Sequence, residues 1–194
     1  MAHHDSIEYP QAQADDRQYS FTPDELAAID AHAAKYPDRR SAVMPALWIA
    51  QEKWGWLPQG AMQLVADTLG MSFAHVYGVA TFYTMYLKQK PAQHLIEVCT
   101  CFTCGECGGR ELMDYACQKT NANDEGVSAD GQFWFREAEC LGACDTPTVL
   151  QINNDQLCFN VTPQRLDEIM AQLQRGEKLP YEHVPMRDQS ILGA

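Results

Sequence analysis

Two closely spaced pairs of cysteines are the residues of this sequence best suited to chemistry. Four residues separate Cys99 from Cys104, and three separate Cys140 from Cys144. Each pair lies where a segment with the pattern of a β-strand runs out into a loop. Two such loops, side by side, present four thiolates to one site. The spacing therefore predicts a metal centre.

A metal centre is favoured over disulfides because nothing in the sequence indicates secretion. The first ten residues have neither the basic region nor the apolar region of a signal peptide. We therefore expect a cytoplasmic chain whose thiols are kept reduced, and clustered cysteines in such chains usually bind metal or do redox chemistry. A chain of 194 residues can also bury a core without cross-links.

The identity of the metal is less sharply defined by spacing alone. Cys101 and Cys107 each form a Cys-x2-Cys knuckle with Cys104, which is typical of zinc. The same run matches the first three ligands of a 4Fe–4S motif but lacks its fourth, a Cys-Pro. The wider loops favour a 2Fe–2S cluster, which needs two thiolates on each iron and backbone amides near its sulfurs. Glycines that would let amides approach are Gly105, Gly108, Gly109 and Gly142. A zinc site, and a site in which Cys101 or Cys107 replaces a ligand, stay open at this point.

Composition narrows the partners and the chemistry. The formal net charge is −12, which argues against nucleic acid or an anionic membrane surface as the partner. No stretch approaches 18 consecutive apolar residues, so no direct membrane insertion is expected.

The sequence shows no general acid–base pair, no activated nucleophile and no phosphate-binding loop, so we do not expect the isolated chain to be catalytic. Dithiol chemistry is disfavoured because no Cys-x2-Cys begins a predicted helix, except arguably Cys104-x2-Cys107.

The first half of the sequence predicts an arm and a helical domain. Residues 1–20 are polar and are interpreted as an N-terminal arm, and residues 21–90 as a bundle of four helices. Thr22 and Glu25 predict a capping box at the first helix. The fourth helix is predicted to run from Ser72 into Tyr86. Apolar and aromatic residues expected in this core include Leu26, Ile29, Ala33, Tyr36, Phe82, Tyr83 and Tyr86. For a minority of the aromatic residues the alternative is a contact with a partner subunit.

The second half predicts a mixed domain with a small sheet at residues 91–176. Strand and helix patterns alternate there in the order β-α-β-β-β-α, which indicates one sheet covered by helices. The last helix begins at Thr162-Pro163 and carries an apolar stripe of Leu166, Ile169, Met170 and Leu173. Cys117 and Cys158 are interpreted as core residues, and residues 177–194 as a C-terminal tail. The fold class is thus α/β (α+β).

Several segments together resemble one known family. They are the cysteine spacing, Val76-Tyr-Gly-Val-Ala-Thr-Phe-Tyr83, Glu139-Cys-Leu-Gly-Ala-Cys144 and Val161-Thr-Pro163. In order and spacing they are similar to the E subunit of bacterial NADH-quinone oxidoreductase, the thioredoxin-like 2Fe–2S subunit of respiratory complex I. The resemblance covers roughly residues 20–180.

The resemblance carries specific expectations. It implies a thioredoxin-like domain after the helical one, and one 2Fe–2S cluster bound by Cys99, Cys104, Cys140 and Cys144. It implies an electron-transfer role beside the subunit that binds FMN and NADH, among other peripheral-arm subunits on the cytoplasmic side of the inner membrane. Related subunits occur in NAD-dependent formate dehydrogenases and NAD-linked hydrogenases, which remain alternatives. So does a structural metal module, with zinc or a redox-silent cluster, that braces a partner.

Overall fold

The computed structural model describes residues 17–182. The predicted N-terminal arm up to residue 16 and the predicted tail from residue 183 onward lie outside the described residues. The chain divides into two compact units, Met1–Pro91 and Ala92–Ala194. Within the described range, no helix is long and apolar enough to cross a membrane.

The first unit is helical. Its elements are α1 (Pro23–Ala33), a 3-10 turn (Arg39–Ala42), α2 (Val43–Trp54), α3 (Gln59–Leu69) and α4 (Phe73–Phe82). The capping box is confirmed: the Thr22 hydroxyl accepts from the Glu25 amide at 3.2 Å, and the Glu25 carboxylate accepts from the Thr22 amide at 2.7 Å. Left-handed Gly55 and Gly70 end α2 and α3, as a residue without a Cβ allows.

The apolar stripe predicted for α1 is only half right. Ile29 and Ala33 are buried, but Leu26 and Tyr36 are 39% and 47% exposed. Tyr36 lies beyond the end of the helix, where the helical period no longer sets the direction of a side chain. The core contact of α1 is therefore narrower than its sequence pattern indicates.

The fourth helix is shorter than predicted. It ends at Phe82, because Tyr83 takes an extended conformation with φ −92° and ψ 117°. The turn that follows buries Tyr86 completely and lets its hydroxyl donate to the Met44 carbonyl at 2.9 Å. Phe82 is left 77% exposed and Tyr83 38% exposed, so the prediction that they are core residues is wrong.

The second unit is a mixed sheet with helices. Its elements are β1 (His94–Cys99), α5 (Phe102–Glu106), α6 (Gly109–Thr120), β2 (Phe133–Ala138), β3 (Leu150–Ile152), β4 (Gln156–Cys158) and α7 (Pro163–Gln174). The strand order is β2-β1-β3-β4, with β1 and β2 parallel and the other two pairs antiparallel. This confirms the predicted small mixed sheet. The α7 stripe is also confirmed, since all four of its residues are buried.

Helix α5 is a correction to the sequence interpretation, which treats the segment after Cys99 as an open loop. The chain turns directly from β1 into this short helix, with Cys101 as its N-cap and Cys104 inside it. Helical hydrogen bonds, including Gly105 N–H to the Cys101 carbonyl at 2.6 Å, tighten the segment. Five residues are too few to give a helical periodicity in sequence.

Helix α6 begins against the end of β1. A Cβ on Gly109 would clash with the Cys99 carbonyl oxygen and would lie 2.8 Å from the Cys104 carbonyl oxygen. Both are backbone atoms that cannot swing aside. Only glycine allows the start of α6 to pack this closely on β1 and α5.

We predict that Gln51→Ala destabilises the helical unit. The buried Gln51 amide donates to the Met85 carbonyl at 2.9 Å and accepts from the Leu87 amide at 2.6 Å. Removing it leaves backbone groups unpaired, which should lower the free energy of unfolding by about 2 kcal/mol. Urea denaturation followed by circular dichroism measures this. Glu52→Ala, an exposed neighbour on α2, is the matched control and should change little. Equal stability of the two variants would contradict the structural role of Gln51.

A second prediction concerns Gly109→Ala, which forces a Cβ into backbone atoms. We expect it to lower the free energy of unfolding of the second unit by about 1–3 kcal/mol through overpacking. Gly78→Ala is the control, because the space around the Gly78 Cβ position is open and the residue is helical. That change should be neutral or stabilising. A Gly109→Ala protein as stable as the control would rule out the close approach.

Candidate metal centre

The parallel pairing of β1 and β2 brings the two cysteine segments to one edge of the sheet. Cys99 is the last residue of β1 and pairs with Ala138, the last residue of β2. Cys140 follows two residues later, and Cys144 lies in the same loop. Since parallel strands end at the same edge, both segments leave the sheet side by side. The residue before β3 also contributes, because the Cys99 amide donates to the Val149 carbonyl at 3.0 Å.

Cys99 and Cys104 form a buried pair. Each is only 2% exposed, and they pack with Ala143 and Val149 in a small apolar cluster. Burial raises the pKa of the Cys104 thiol to about 11, with a further contribution from its hydrogen bond to Cys99. The Val149 amide opposes this by donating to the Cys104 sulfur. The Cys99 thiol lies 3.6 Å from the Glu139 carbonyl oxygen.

Cys140 and Cys144 form an exposed pair. Their sulfurs are 3.8 Å apart. The Gly142 amide donates to the Cys140 sulfur and is the main cause of a lowered Cys140 pKa, and the neighbouring thiols Cys144 and Cys101 also contribute. The pKa of Cys144 is raised, chiefly because its thiol donates to Cys140. The loop thus holds one sulfur in an environment that favours the thiolate.

The two pairs share one site. Ala143, which precedes Cys144, packs against Cys99 and Cys104, and the carbonyl oxygen of Glu139, which precedes Cys140, lies 3.6 Å from the Cys99 sulfur. Between residues 17 and 182, no group of three or more His, Cys, Asp or Glu side chains is arranged around a single ion. The four thiols instead stand as two pairs. A 2Fe–2S cluster takes two thiolates on each of two irons, and this arrangement fits it.

The glycine prediction is partly confirmed. Gly142 has a left-handed φ of 78° and aims its amide at the Cys140 sulfur. The amides of Gly105 and Gly108 instead bond to carbonyls within the α5 segment, so the expectation that they point at the sulfurs is wrong. Gly109 acts through close packing, as described above. An amide donor that the sequence did not reveal is that of Val149, which no glycine marks.

The remaining cysteines occupy different places. Cys158 is buried in the core of the second unit, and the half-buried Cys117 packs against that core, as expected. Cys101 and Cys107 are both exposed and flank α5. His94 begins β1, at the opposite end of the strand from Cys99, and burial lowers its pKa. His94 is therefore too far along the strand to join the cysteine pairs.

The structure corrects one point about thiol redox chemistry, which the sequence disfavours because no Cys-x2-Cys clearly begins a helix. Cys101-x2-Cys104 does begin α5. Burial raises the pKa of Cys104 to about 11, so Cys104 is not the thiol of this pair that would ionise first. The site differs from that of a dithiol enzyme because a second pair, Cys140 and Cys144, lies beside it: the Cys99 thiol is 3.6 Å from the carbonyl oxygen of Glu139, and Ala143 packs against Cys99 and Cys104. Four thiols together favour metal binding, because a metal deprotonates the thiols that coordinate it.

Comparison with known proteins also indicates an iron–sulfur protein. The family model of the thioredoxin-like [2Fe-2S] ferredoxin matches residues 29–174. The chain is 36% identical to the second E subunit of NADH-quinone oxidoreductase from Rhizobium meliloti, over 78% of this chain and 89% of that protein. It is 32% identical to NADH-quinone oxidoreductase subunit 2 of Thermus thermophilus, over 85% of this chain and 92% of that protein.

A solved structure supports the fold. The structure of an air-oxidised NAD+-reducing [NiFe]-hydrogenase superposes with a TM-score of 0.57 at 17% identity, over 68% of this chain and 23% of that chain. At this identity the likeness concerns the fold alone. The extent of the family match and the identity to the two relatives are decisive: this chain belongs to the thioredoxin-like [2Fe-2S] ferredoxin family.

Proposed function

We propose that the chain is the electron-transfer subunit of an NADH:quinone oxidoreductase and carries one 2Fe–2S cluster on Cys99, Cys104, Cys140 and Cys144. The observation that carries this is the meeting of two thiol pairs at the shared end of two parallel strands. The relatives named as subunits of NADH-quinone oxidoreductase support the parent complex. The cluster, when bound, accepts and releases one electron.

The two cysteine pairs have different roles at this site. The buried Cys99 and Cys104 would hold one iron of the cluster, and the exposed Cys140 and Cys144 would hold the other. Amide donors from Val149 and Gly142 reach one sulfur in each pair. Hydrogen bonds of this kind stabilise negative charge on the sulfurs and make reduction easier.

The negative charge of the chain opposes the effect of these hydrogen bonds and makes reduction of the cluster harder. A cluster on four thiolates gains a third negative charge on reduction, in a chain already at −12. The exposed carboxylates Glu137, Glu139 and Asp145 lie in or beside the cysteine segments. We therefore expect a low reduction potential, which suits electron exchange with a reduced flavin and is poor for a terminal acceptor.

The same proposal predicts the neighbours of the chain in the complex. The chain lies beside the subunit that binds FMN and NADH, among the other peripheral-arm subunits, on the cytoplasmic side of the inner membrane. Purification of the tagged chain from its native cells tests this. We expect a flavoprotein that oxidises NADH, together with quinone-reducing membrane subunits, to co-purify. Recovery with hydrogenase or formate dehydrogenase subunits instead would keep the cluster and replace the parent complex.

The ligand set makes a direct prediction. Cys99→Ala and Cys104→Ala should each lose the cluster iron and sulfide, because alanine cannot coordinate iron and the buried positions keep water from replacing the missing thiolate. Cys117→Ala is the control, since Cys117 lies on α6 and packs against the core of the second unit. Iron and sulfide analysis with visible absorption after reconstitution measures the result. Full iron content in Cys99→Ala would show that Cys99 is not required as a ligand.

A further inference from the structure

A fifth cysteine, Cys101, faces the same side of the sheet as Cys99. Between them Thr100 continues the strand pairing, donating its amide to the Ala138 carbonyl at 3.0 Å and its hydroxyl to Glu137 at 3.0 Å. Cys101 itself keeps an extended backbone, with φ −64° and ψ 167°. Side chains alternate along an extended chain, so Cys99 and Cys101 point to one face and Thr100 to the other.

The strand register brings the chain segments of Cys101 and Cys140 side by side. Cys99 pairs with Ala138 in the parallel ladder, and each of the two cysteines lies two residues further along its own chain. Neighbouring strands are about 4.8 Å apart, which is within the reach of two thiols. The Cys101 thiol is placed to donate to the Cys140 sulfur, and it also interacts electrostatically with Cys144.

Cys107 is also exposed, but it lies at the other end of α5 from Cys101. It ends α5, where its amide bonds to the carbonyls of Thr103 and Cys104 at 3.1 and 3.2 Å. None of the thiol contacts described above for residues 17–182 includes it. The two extra cysteines of the first segment are therefore not equivalent: Cys101 lies beside the second cysteine pair, and Cys107 lies at the C-terminal end of α5.

We propose that Cys101 is a reserve ligand for the exposed iron and takes the place of Cys140 when that ligand is lost. The proposal rests on the proposed function, since it needs the 2Fe–2S cluster. In the exchange, the Fe–S bond to Cys140 breaks and one to Cys101 forms. Cys101 gives up its thiol proton and the released Cys140 thiolate takes one, so no electron is transferred. The exposed position of both thiols lets this happen without unfolding the buried pair.

The test removes Cys140 alone, and then together with either Cys101 or Cys107. Full-length Cys140→Ala, Cys140→Ala/Cys101→Ala and Cys140→Ala/Cys107→Ala are reconstituted with iron and sulfide under anaerobic conditions. Iron and sulfide content, EPR of the reduced protein and mass-spectrometric mapping of alkylated cysteines are the measurements. We expect Cys140→Ala and its Cys107 double variant to keep two irons with shifted g-values, and Cys101 to be protected from alkylation. The Cys101 double variant should lose the cluster.

The outcomes separate this inference from the proposed function. A wild-type chain without a cluster would overturn both. A wild-type chain that holds the cluster, beside a folded Cys140→Ala variant that loses it, would overturn the reserve ligand alone. Equal iron content in the two double variants would do the same. If circular dichroism shows Cys140→Ala to be unfolded, Cys140→Val, which also offers iron no donor atom, supports the same comparison, and insensitivity of its cluster to Cys101→Ala would contradict the proposal.

Discussion

The parallel pairing of β1 and β2 is the constraint on which the site depends. Because Cys99 and Ala138 are paired, the two chain segments that carry the cysteines leave the sheet at the same edge and in a fixed register. A slip of one residue would turn every side chain of a strand to the opposite face. The core of the second unit, with Phe133, Phe135 and Ile96 fully or almost fully buried, therefore fixes the relative placement of the thiols as well as the fold.

Burial gives the two thiol pairs different characters. Cys99 and Cys104 are shielded from water, in a setting where burial raises the pKa of Cys104 to about 11 and favours neutral thiols before metal binds. Metal binding must then deprotonate them, so assembly of the centre releases protons. Cys140 and Cys144 lie at the surface, where an amide from Gly142 already favours a thiolate. This asymmetry gives the centre one protected side and one side that a redox partner can approach.

The sequence predicts most of this arrangement, for reasons that differ between residues. Thr22 and Glu25 follow a local capping rule, and the α7 stripe follows a helical period, so both are readable without tertiary information. Helix α5 is too short to show a period, and the exposure of Phe82 follows from a turn that tertiary contacts of Tyr86 impose. The difference between Cys101 and Cys107 depends on strand register, which spacing along the chain does not reveal. Spacing does predict the pairing of the thiols, whereas the Val149 amide donor comes from a segment with no cysteine.

The central claim is that the four thiols in two pairs hold one 2Fe–2S cluster. Mössbauer spectroscopy of the chain reconstituted with ⁵⁷Fe, combined with EPR after dithionite reduction, tests it most directly. The account predicts two irons and two sulfides per chain, high-spin ferric sites coupled to a diamagnetic oxidised state, and an S = 1/2 signal on one-electron reduction. Stoichiometric zinc from protein made with adequate iron, or the signature of a four-iron cluster, would contradict it.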